Sequence, residues 1–576
     1  MAMFTGFHAY DDEGYFLVLL RDYLSGHPLL SPATPVYGPF FFETMAAVFK
    51  LFGLAPGHDA GRFVTGAVWV LSSLLAGVAV FRLTRNLWLT VGAELLAFHA
   101  LMALTIEPMS PQGLIALLLV ALATAATFQA ARPRLCAALI GGMVAALCLI
   151  KINVGFFAGV AIVVAWTACL TERYRRFSLP VLVAGIVALP FAVTSTLLSA
   201  PWAAEFAVGV ALAAAALGVA ILATKPGAAN RMDARWTAFG AVVLTVACLG
   251  IAIAGGTSIS DIWNGLIVVS LRIPRVFTVP LDPSAAFDAI ALLSFVAAVF
   301  VSRPTSYVRL SAGIRATVGL SVWVALLLVP TTIFLFTLPA AWVAAVRPGD
   351  EAEDVVGPYA RVLLPALAVI NTLQAYPVAG TQLSLAAAPQ VFVGAICLAD
   401  ALWIARRTRP ARALSSVAVR AAAVLAGMAF VVDALFSAGA YQASVPLGLP
   451  GAQLMRMPAG RAADLRSIVT ALDERCASFI TYPGMNSFYL WTETEPPTEV
   501  RSELWMITFD ASQQQSLVDR LARLPGLCVV KDQRQVDFWT HGQPVADRPL
   551  IRYIGESFTI GAASGEYQLL VRRTAS

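Results

Sequence analysis

Charge is what this 576-residue chain has least of. Only 13% of its residues are Asp, Glu, Lys or Arg, about half the quarter usual in soluble proteins. With a mean hydropathy of +0.77, that scarcity excludes a soluble enzyme as the main body. The five histidines are scattered, and no Cys/His spacing matches a metal site. A nucleotide-binding glycine motif, a P-loop, a low-complexity tract and an obvious internal repeat are all missing. So is a signal peptide, because neither a basic n-region nor an apolar h-region precedes the first acids.

What is present is hydrocarbon-length apolar sequence, in runs near the ~20 residues that span a bilayer core. The longest lie at 62–81, 87–105, 113–131, 135–150, 154–170, 179–198, 203–224, 236–254, 284–301, 316–346, 359–376, 389–405 and 415–440. They predict a polytopic α-helical membrane protein with about 11 to 13 spans. The count turns on 316–376, where Pro330 and Pro339 can break one long run into two short ones. From about Leu447 the character changes: residues 441–576 carry 13 Lys/Arg and 14 Asp/Glu and no spanning run. This predicts a small C-terminal α/β or α+β soluble domain, with helices at 460–475 and 511–524, the second capped by Asp510. Strands are predicted at 477–482, 487–492, 503–509, 527–531, 536–540, 550–554 and 566–572. Trp491, Trp505 and Trp539 read as core rather than as sugar-stacking platforms.

The net charge of +5 therefore belongs to the membrane part and is a topology signal, not a nucleic-acid footprint. Arg82/Arg85, Arg132/Arg134, Arg173/Arg175/Arg176, Lys225/Arg231/Arg235, Arg303/Arg309/Arg315 and Arg406/Arg407/Arg409/Arg412 mark cytoplasmic loops. The loops at 106–112, 151–153, 199–202 and 255–283 then face outward, as does the C-terminal domain. Five cysteines lie in apolar runs. Cys476 and Cys528 are the only pair in the soluble domain, and an oxidising compartment would let them bridge.

Three consecutive carboxylates, Asp11-Asp12-Glu13, precede the first clear span and cannot sit in hydrocarbon. Residues 1–61 read as an outer acidic loop with interfacial helices. One is an amphipathic surface segment from Tyr15, with Phe16, Leu17, Leu20, Tyr23 and Leu24 on one face and Arg21, Asp22 and Ser25 opposite. An outward acidic loop needs something to carry it across the membrane. Either a first transmembrane helix is missing upstream or a short N-terminal tail is translocated; the first is the expectation.

The order of these features resembles the GT-C superfamily of integral-membrane glycosyltransferases, which includes the protein O-mannosyltransferases and the aminoarabinose transferases of lipid A. The matching pieces are Asp12-Glu13, the stretch from Tyr37-Gly38-Pro39 to Leu51-Phe52-Gly53, and Arg62 opening a span. The outer loop Glu107-Pro108-Met109-Ser110-Pro111-Gln112, Lys151 at a helix end and a C-terminal outer domain complete them. The likeness covers residues 10–200 by motif and the rest by architecture. It departs where no helix precedes the acidic loop and where Tyr376–Gln382 maps onto no motif of that group. That polar segment interrupts apolar sequence and reads as lining a cavity.

The resemblance implies transfer of a sugar from a polyprenyl-phosphate donor to a lipid, glycan or protein acceptor at the outer face. The acceptor needs a base, since a hydroxyl is a weak nucleophile until its proton begins to leave. Asp12 is the expected base, with Glu13 and Asp11 beside it raising its pKa by like-charge repulsion. Lys151 is the expected phosphate contact, against the alternative of snorkelling to headgroups, with Arg272 and Arg275 as second candidates. Glu107 can orient the acceptor, or share a divalent cation with Asp12; plain loop solvation accounts for it equally well. No other cofactor is expected. Tyr37, His27 and Gln382 are candidate contacts to sugar hydroxyls, and Glu43 is a weaker acid of the Glu107 kind. The rival readings are a transporter or flippase for a lipid-linked envelope component, and a non-catalytic envelope assembly protein.

Overall fold

The computed structural model describes the chain except residues 9, 30–36, 224–233, 282, 302–311, 330, 349–355, 408–410, 499–500, 502–504 and 574–576. Pro330 and the loop residues Lys225, Arg231, Arg303, Arg309 and Arg409 fall outside the described residues. Two helices come first, α1 (Asp12–Leu24) and α2 (Pro39–Phe52). The apolar body continues through α3 (His58–Thr84), α4 (Leu87–Met102), α5 (Gln112–Thr127), α6 (Pro133–Ile150) and α7 (Ile152–Ala168). Next are α8 (Glu172–Thr194), α9 (Pro201–Ala223) and α10 (Ala234–Ala254). A broken stretch follows: α11 (Ile259–Trp263), a π-helical turn (Asn264–Val269) and α12 (Ser270–Val276). The body closes with α13 (Ala285–Val301), α14 (Ala312–Leu326), α15 (Trp342–Ala345), α16 (Pro358–Ile370), α17 (Gln382–Ala387), α18 (Gln390–Arg407) and α19 (Ala411–Ala443).

Eight helices among the described residues are long and apolar enough to cross a membrane, and five shorter apolar helices accompany them. The protein is a polytopic helical membrane protein. The stretch 316–376 is not one span. It divides into α14, a 3₁₀ segment Thr332–Ala341 that carries Pro339, and the separate helix α16. Pro339 has no N–H to donate, and a 3₁₀ turn tolerates that loss better than a long α-helix does.

Two groups of charge inside this body are closely paired. Arg315 Nη1 donates to Asp400 Oδ2 at 2.6 Å, and Arg361 donates to both Asp400 oxygens at 2.8 and 3.1 Å. The surplus positive charge is taken up by carbonyls, Val343 and Val346 for Arg315 and Ala344 for Arg361. All three side chains are buried. His99 pairs with Asp433 and its other ring nitrogen lies 3.1 Å from the Leu327 carbonyl. These groups tie α14, α16 and α18 together, and α4 to α19.

The C-terminal part is an α+β unit. After the short antiparallel pair β1 (Val445–Pro446) and β2 (Arg456–Met457) come α20 (Ala459–Arg475) and β3 (Ser478–Tyr482). Then follow α21 (Ser487–Trp491), α22 (Trp505–Thr508), α23 (Ala511–Leu521), β4 (Leu527–Asp532), α24 (Gln533–Thr540) and α25 (Pro549–Ser557). The hairpin β5 (Phe558–Ser564) and β6 (Tyr567–Arg572) ends it. The sheet order is β3-β4-β6-β5, with β3 and β4 parallel and the other pairs antiparallel. A Cys476–Cys528 disulfide joins the end of α20 to β4.

Successive strand residues point to opposite faces, and the two faces have different partners. Phe479, Cys528, Val530 and Leu569 join the hydrophobic core of the helical body. Ile480, Tyr482, Val529 and Leu570 pack with α23, α24 and α25 in a second core that also takes in Phe277 from the loop after α12. Trp491, Trp505 and Trp539 are all buried, which makes them core residues.

Four predicted strands are helices where they are described: 487–492, 503–509 (of which 503–504 lie outside the described residues), 536–540 and 550–554 correspond to α21, α22, α24 and α25. Each is a short aromatic-rich apolar run, where periodicity cannot separate strand from helix. Start signals were nonetheless present. Asp532 caps α24 by accepting from the Gln535 N–H, and Pro549 occupies the first turn of α25.

Replacing Asp400 by Asn leaves two buried guanidinium groups without a counter-charge. The expected loss is about 3–5 kcal/mol, read as a lowered melting temperature of the detergent-solubilised protein, with a smaller drop for the half-exposed Glu566→Gln.

Candidate functional site

The acidic run is resolved by the start of a helix. Asp11 is the N-cap of α1, in left-handed backbone conformation at φ 48°, and its carboxylate accepts from the Gly14 N–H at 3.0 Å. It also accepts from the N–H and the hydroxyl of Ser487, each at 2.6 Å. A Cβ on Gly14 would lie 2.4 Å from Ser487 N and Oγ, so only glycine lets α1 approach α21 this closely. Burial pushes the Asp11 carboxyl up to about 7, against the pull of its Ser487 bonds.

Glu13 points elsewhere. Arg62 on α3 donates to it through Nε and Nη2 at 2.8 and 2.6 Å, and His58 Nδ1 lies 3.2 Å away. Burial alone would raise this carboxyl, but Arg62 and His58 bring it down to about 2. Arg62 also donates to the Met3 and Gly6 carbonyls, which fastens the N-terminal segment onto α3. Trp491 from α21 stacks over His58 with ring centres 5.4 Å apart.

These contacts differ from the expected interfacial segment. Residues Glu13–Leu20 are buried all round, because α2 and α3 cover one side of α1 and the C-terminal domain covers the other. Arg21 donates to the Tyr489 and Thr494 carbonyls, and Asp22 pairs with Arg501 at 2.8 Å. A helix covered on every side needs no polar stripe.

Asp12 is half-buried between these two anchored acids. Tyr10 stands beside it, and burial together with the charges of Glu107 and Asp12 holds the phenol's proton on. Glu107 follows a 3₁₀ turn, Ala103–Ile106, and accepts from the Thr381 hydroxyl at 2.9 Å. The loop beyond it is held by the Met109 N–H donating to Thr65 Oγ1 on α3 at 3.0 Å. Thus one helix, α3, carries the anchors of both acid-bearing segments.

Lys151 is the single extended residue between α6 and α7 (φ −150°, ψ 107°). Its backbone N–H and carbonyl continue the two helices' hydrogen bonding, so the corner has a fixed direction. Gly38 packs against that corner: its N–H donates to the Ile150 carbonyl at 2.9 Å, and a Cβ there would meet Leu149 O at 2.1 Å. This close approach sets the neighbouring Tyr37 ring 5.8 Å from Lys151 Nζ, within cation–π range. The Tyr37 hydroxyl accepts from Gln112 Nε2 at 3.2 Å. Burial shifts Lys151 toward the neutral amine and Glu107 toward the neutral acid, and each charge partly restores the other. Both are surrounded by protein deeply enough to titrate abnormally, yet both keep accessible surface. Neither belongs to the closed core.

The sequence candidates therefore separate into groups. Asp12, Glu107, Lys151 and Tyr37 come together, with Gln382 beside Thr381 at the start of α17. Asp11 and Glu13 anchor α1. Arg272 and Arg275 are exposed on α12. His27 is exposed beyond the far end of α1, its ring nitrogen 3.2 Å from the Asp22 carbonyl, about 18 Å of helix rise from Asp12. Glu43, on α2, has one carboxylate oxygen without a partner among the described residues and neighbours Cys248 and Tyr23. No group of three or more His, Cys, Asp or Glu side chains is gathered to hold an ion among the described residues. Tyr10, Gln112 and Thr381 were missed. A tyrosine beside an acidic run is the only one with a local signal.

Two consequences are measurable. Glu13→Gln leaves Arg62 buried and unpaired, at a cost of about 3–5 kcal/mol. The stabilisation from Glu13 is complete above the ordinary glutamate pKa near 4.5 and disappears as pH falls toward 2. Melting temperature of the wild type against pH should therefore drop across that window, and the variant curve should be flatter there.

No family model matches the chain, and no curated protein does. Solved structures do. The chain is similar to the Archaeoglobus fulgidus oligosaccharyltransferase in complex with Zn and sulfate, at 11% identity over 96% of this chain and 68% of that one, TM-score 0.42. It is similar to archaeal oligosaccharyltransferase AglB from Archaeoglobus fulgidus in complex with an inhibitory peptide and a dolichol-phosphate, at 12% identity, 97% and 70% coverage and TM-score 0.41. It is also similar to ArnT from Cupriavidus metallidurans bound to undecaprenyl phosphate, at 12% identity, 98% and 94% coverage and TM-score 0.39.

Proposed function

We propose that this chain is an inner-membrane glycosyltransferase. It moves a sugar from a polyprenyl-phosphate carrier to a lipid, glycan or protein acceptor at the outer face, where the C-terminal domain from about residue 441 also lies. One observation carries the reading: a cation, Lys151, and a carboxylate, Glu107, are close enough for each charge to act on the other, and Glu107 and Asp12 both act on Tyr10, on the segments that join or open apolar helices. A lipid phosphate arriving from the bilayer meets a cation there, and an acceptor meets a base.

In this reading Lys151 receives the phosphate, supported by the Tyr37 ring, with Arg272 and Arg275 on α12 as outer phosphate contacts. Asp12 begins to take the acceptor proton as the acceptor oxygen attacks the anomeric carbon. The new bond to that carbon forms as its bond to the phosphate oxygen breaks, and the electron pair leaves on the polyprenyl phosphate. A single displacement inverts the anomeric centre. Asp11 and Glu13 hold the first turn of α1 so that Asp12 faces the acceptor. Glu107 balances Lys151 and orients the acceptor, while Tyr37 and Gln382 hydrogen-bond sugar hydroxyls. His27 stands too far from Asp12 to take part.

The transporter reading finds less support. Among the ionisable groups inside the helical body, Asp400, Arg315 and Arg361 are committed to one another, as are Asp433 and His99, whereas a transport path needs such groups free to exchange partners.

The test is transfer by the purified full chain in nanodiscs, from a pool of radiolabelled polyprenyl-phosphate sugars to membrane acceptors. Asp12→Asn should transfer about a hundredfold more slowly or worse while still binding donor, and Lys151→Ala should raise the donor KM. Equal rates for wild type and Asp12→Asn would move the base to Glu107. Binding without transfer from any donor would favour transport or an assembly role.

A further inference from the structure

Between Arg361 and Asp400 the chain carries no acid and no base, yet it holds four carboxamides, Asn371, Gln374, Gln382 and Gln390, in largely apolar sequence. This stretch is built from short pieces. α16 runs into a 3₁₀ turn, Asn371–Ala375, the polar segment Tyr376–Gln382 follows, and α17 packs back against the turn. Side chains three apart eclipse in a 3₁₀ helix, so Asn371 and Gln374 share one face. Both are fully buried. Neither carboxamide has a hydrogen-bond partner at its nitrogen or its oxygen among the described residues, and the buried Ser384 hydroxyl on α17 has none either. The hydroxyls around them are paired. Thr372 donates to the Ala368 carbonyl at 2.7 Å, Tyr376 and Thr196 share a bond of 3.0 Å, and Thr381 donates to Glu107 at 2.9 Å.

A buried carboxamide without a partner gives up the solvation of its dipole and regains nothing. Two of them on one face of one turn, inside an apolar body, mark a place that a polar ligand completes. The chemistry of the groups says which ligand. A carboxamide supplies two donors and two acceptor sites without a charge, which suits the hydroxyls of a sugar and gives a phosphate no counter-charge. The nearest charge along α16 is Arg361, about 15 Å of helix rise from Asn371 and committed to Asp400. The position suits the same ligand. The 3₁₀ turn packs against α7, whose start is set by Lys151, and α17 begins directly after Thr381, the hydroxyl bonded to Glu107.

We infer that Asn371 and Gln374 are the specificity-determining contacts for the sugar of the donor, and that this sugar is uncharged. Its hydroxyl or acetamido groups pair with the two carboxamides while its phosphate stays with Lys151, and no bond is made or broken at the turn. The inference rests on the reading of Lys151 as the phosphate site. It narrows the donor to a neutral sugar, because a carboxylate or an ammonium group would enter this turn without a counter-charge.

The experiment is binding to the full chain in nanodiscs of bare undecaprenyl phosphate and of the same lipid carrying a neutral hexose, an N-acetylhexosamine or a hexuronic acid, with melting temperatures alongside. The wild type should bind a neutral-sugar lipid more tightly than the bare lipid and than the hexuronyl lipid, a comparison that needs no variant. Asn371→Leu and Gln374→Met keep the side-chain size and remove the unpaired dipoles. Each should weaken the neutral-sugar lipid about tenfold, leave the bare lipid unchanged, and melt no lower than the wild type. Equal loss for both lipids with a lowered melting temperature assigns the carboxamides to internal water and overturns the inference. So does unchanged binding of every sugar-bearing lipid, or tightest wild-type binding of the hexuronyl or the bare lipid; all three leave the Lys151 reading standing. A wild type that binds none of the lipids overturns the Lys151 reading, and this inference with it.

Discussion

Arg62 is the residue on which the arrangement hangs. Three adjacent carboxylates cannot share one environment, and an α-helical start separates them by about 100° each. The outer two need partners if the middle one is to stay accessible. Arg62 takes Glu13 with two short bonds and captures two carbonyls of the N-terminal segment as well. With Ser487 taking Asp11, the first turn of α1 has no freedom to rotate. One turn further along α3, Thr65 fixes the loop behind Glu107. Asp12 and Glu107 are thus measured from the same helix.

The C-terminal domain follows from the same constraint. Its sheet puts one face into the helical core and builds a second core on the other, and it supplies Ser487, Trp491 and the carbonyls that hold Arg21. A domain attached in this way is a wall of the site. Burial shifts Lys151 and Glu107 toward their neutral forms, and each charge partly restores the other.

Much of this was legible in the order of residues. Apolar runs locate the helices because hydrocarbon admits little else, and the loss of such runs after Leu447 marks the change to a mixed domain. Asp12, Glu107, Lys151 and Tyr37 stand out because charge and hydrogen-bonding groups at span ends are few in so apolar a chain. The four aromatic runs 487–492, 503–509, 536–540 and 550–554 were read as strands because their composition suits either element. Local helix signals exist for two of them: Asp532 caps the third and Pro549 opens the fourth. The amphipathic reading of α1 failed for a related reason. Its polar residues Arg21 and Asp22 looked like a solvent face, but they meet protein groups that lie more than 460 positions away in sequence.

What the sequence by itself determined is local or additive: a membrane body, a mixed C-terminal domain, helix breaks at proline, and a small set of polar residues at span ends. Each follows from transfer energy or backbone chemistry summed over neighbours in the chain. Only the tertiary structure decided how the three consecutive acids are divided, since Arg62 takes Glu13 and Ser487 takes Asp11 from distant positions. It alone brought Thr381 to Glu107 and left Asn371 and Gln374 buried without partners among the described residues. Hydrogen bonds and desolvation act over a few ångströms of space, and no spacing along the chain records them.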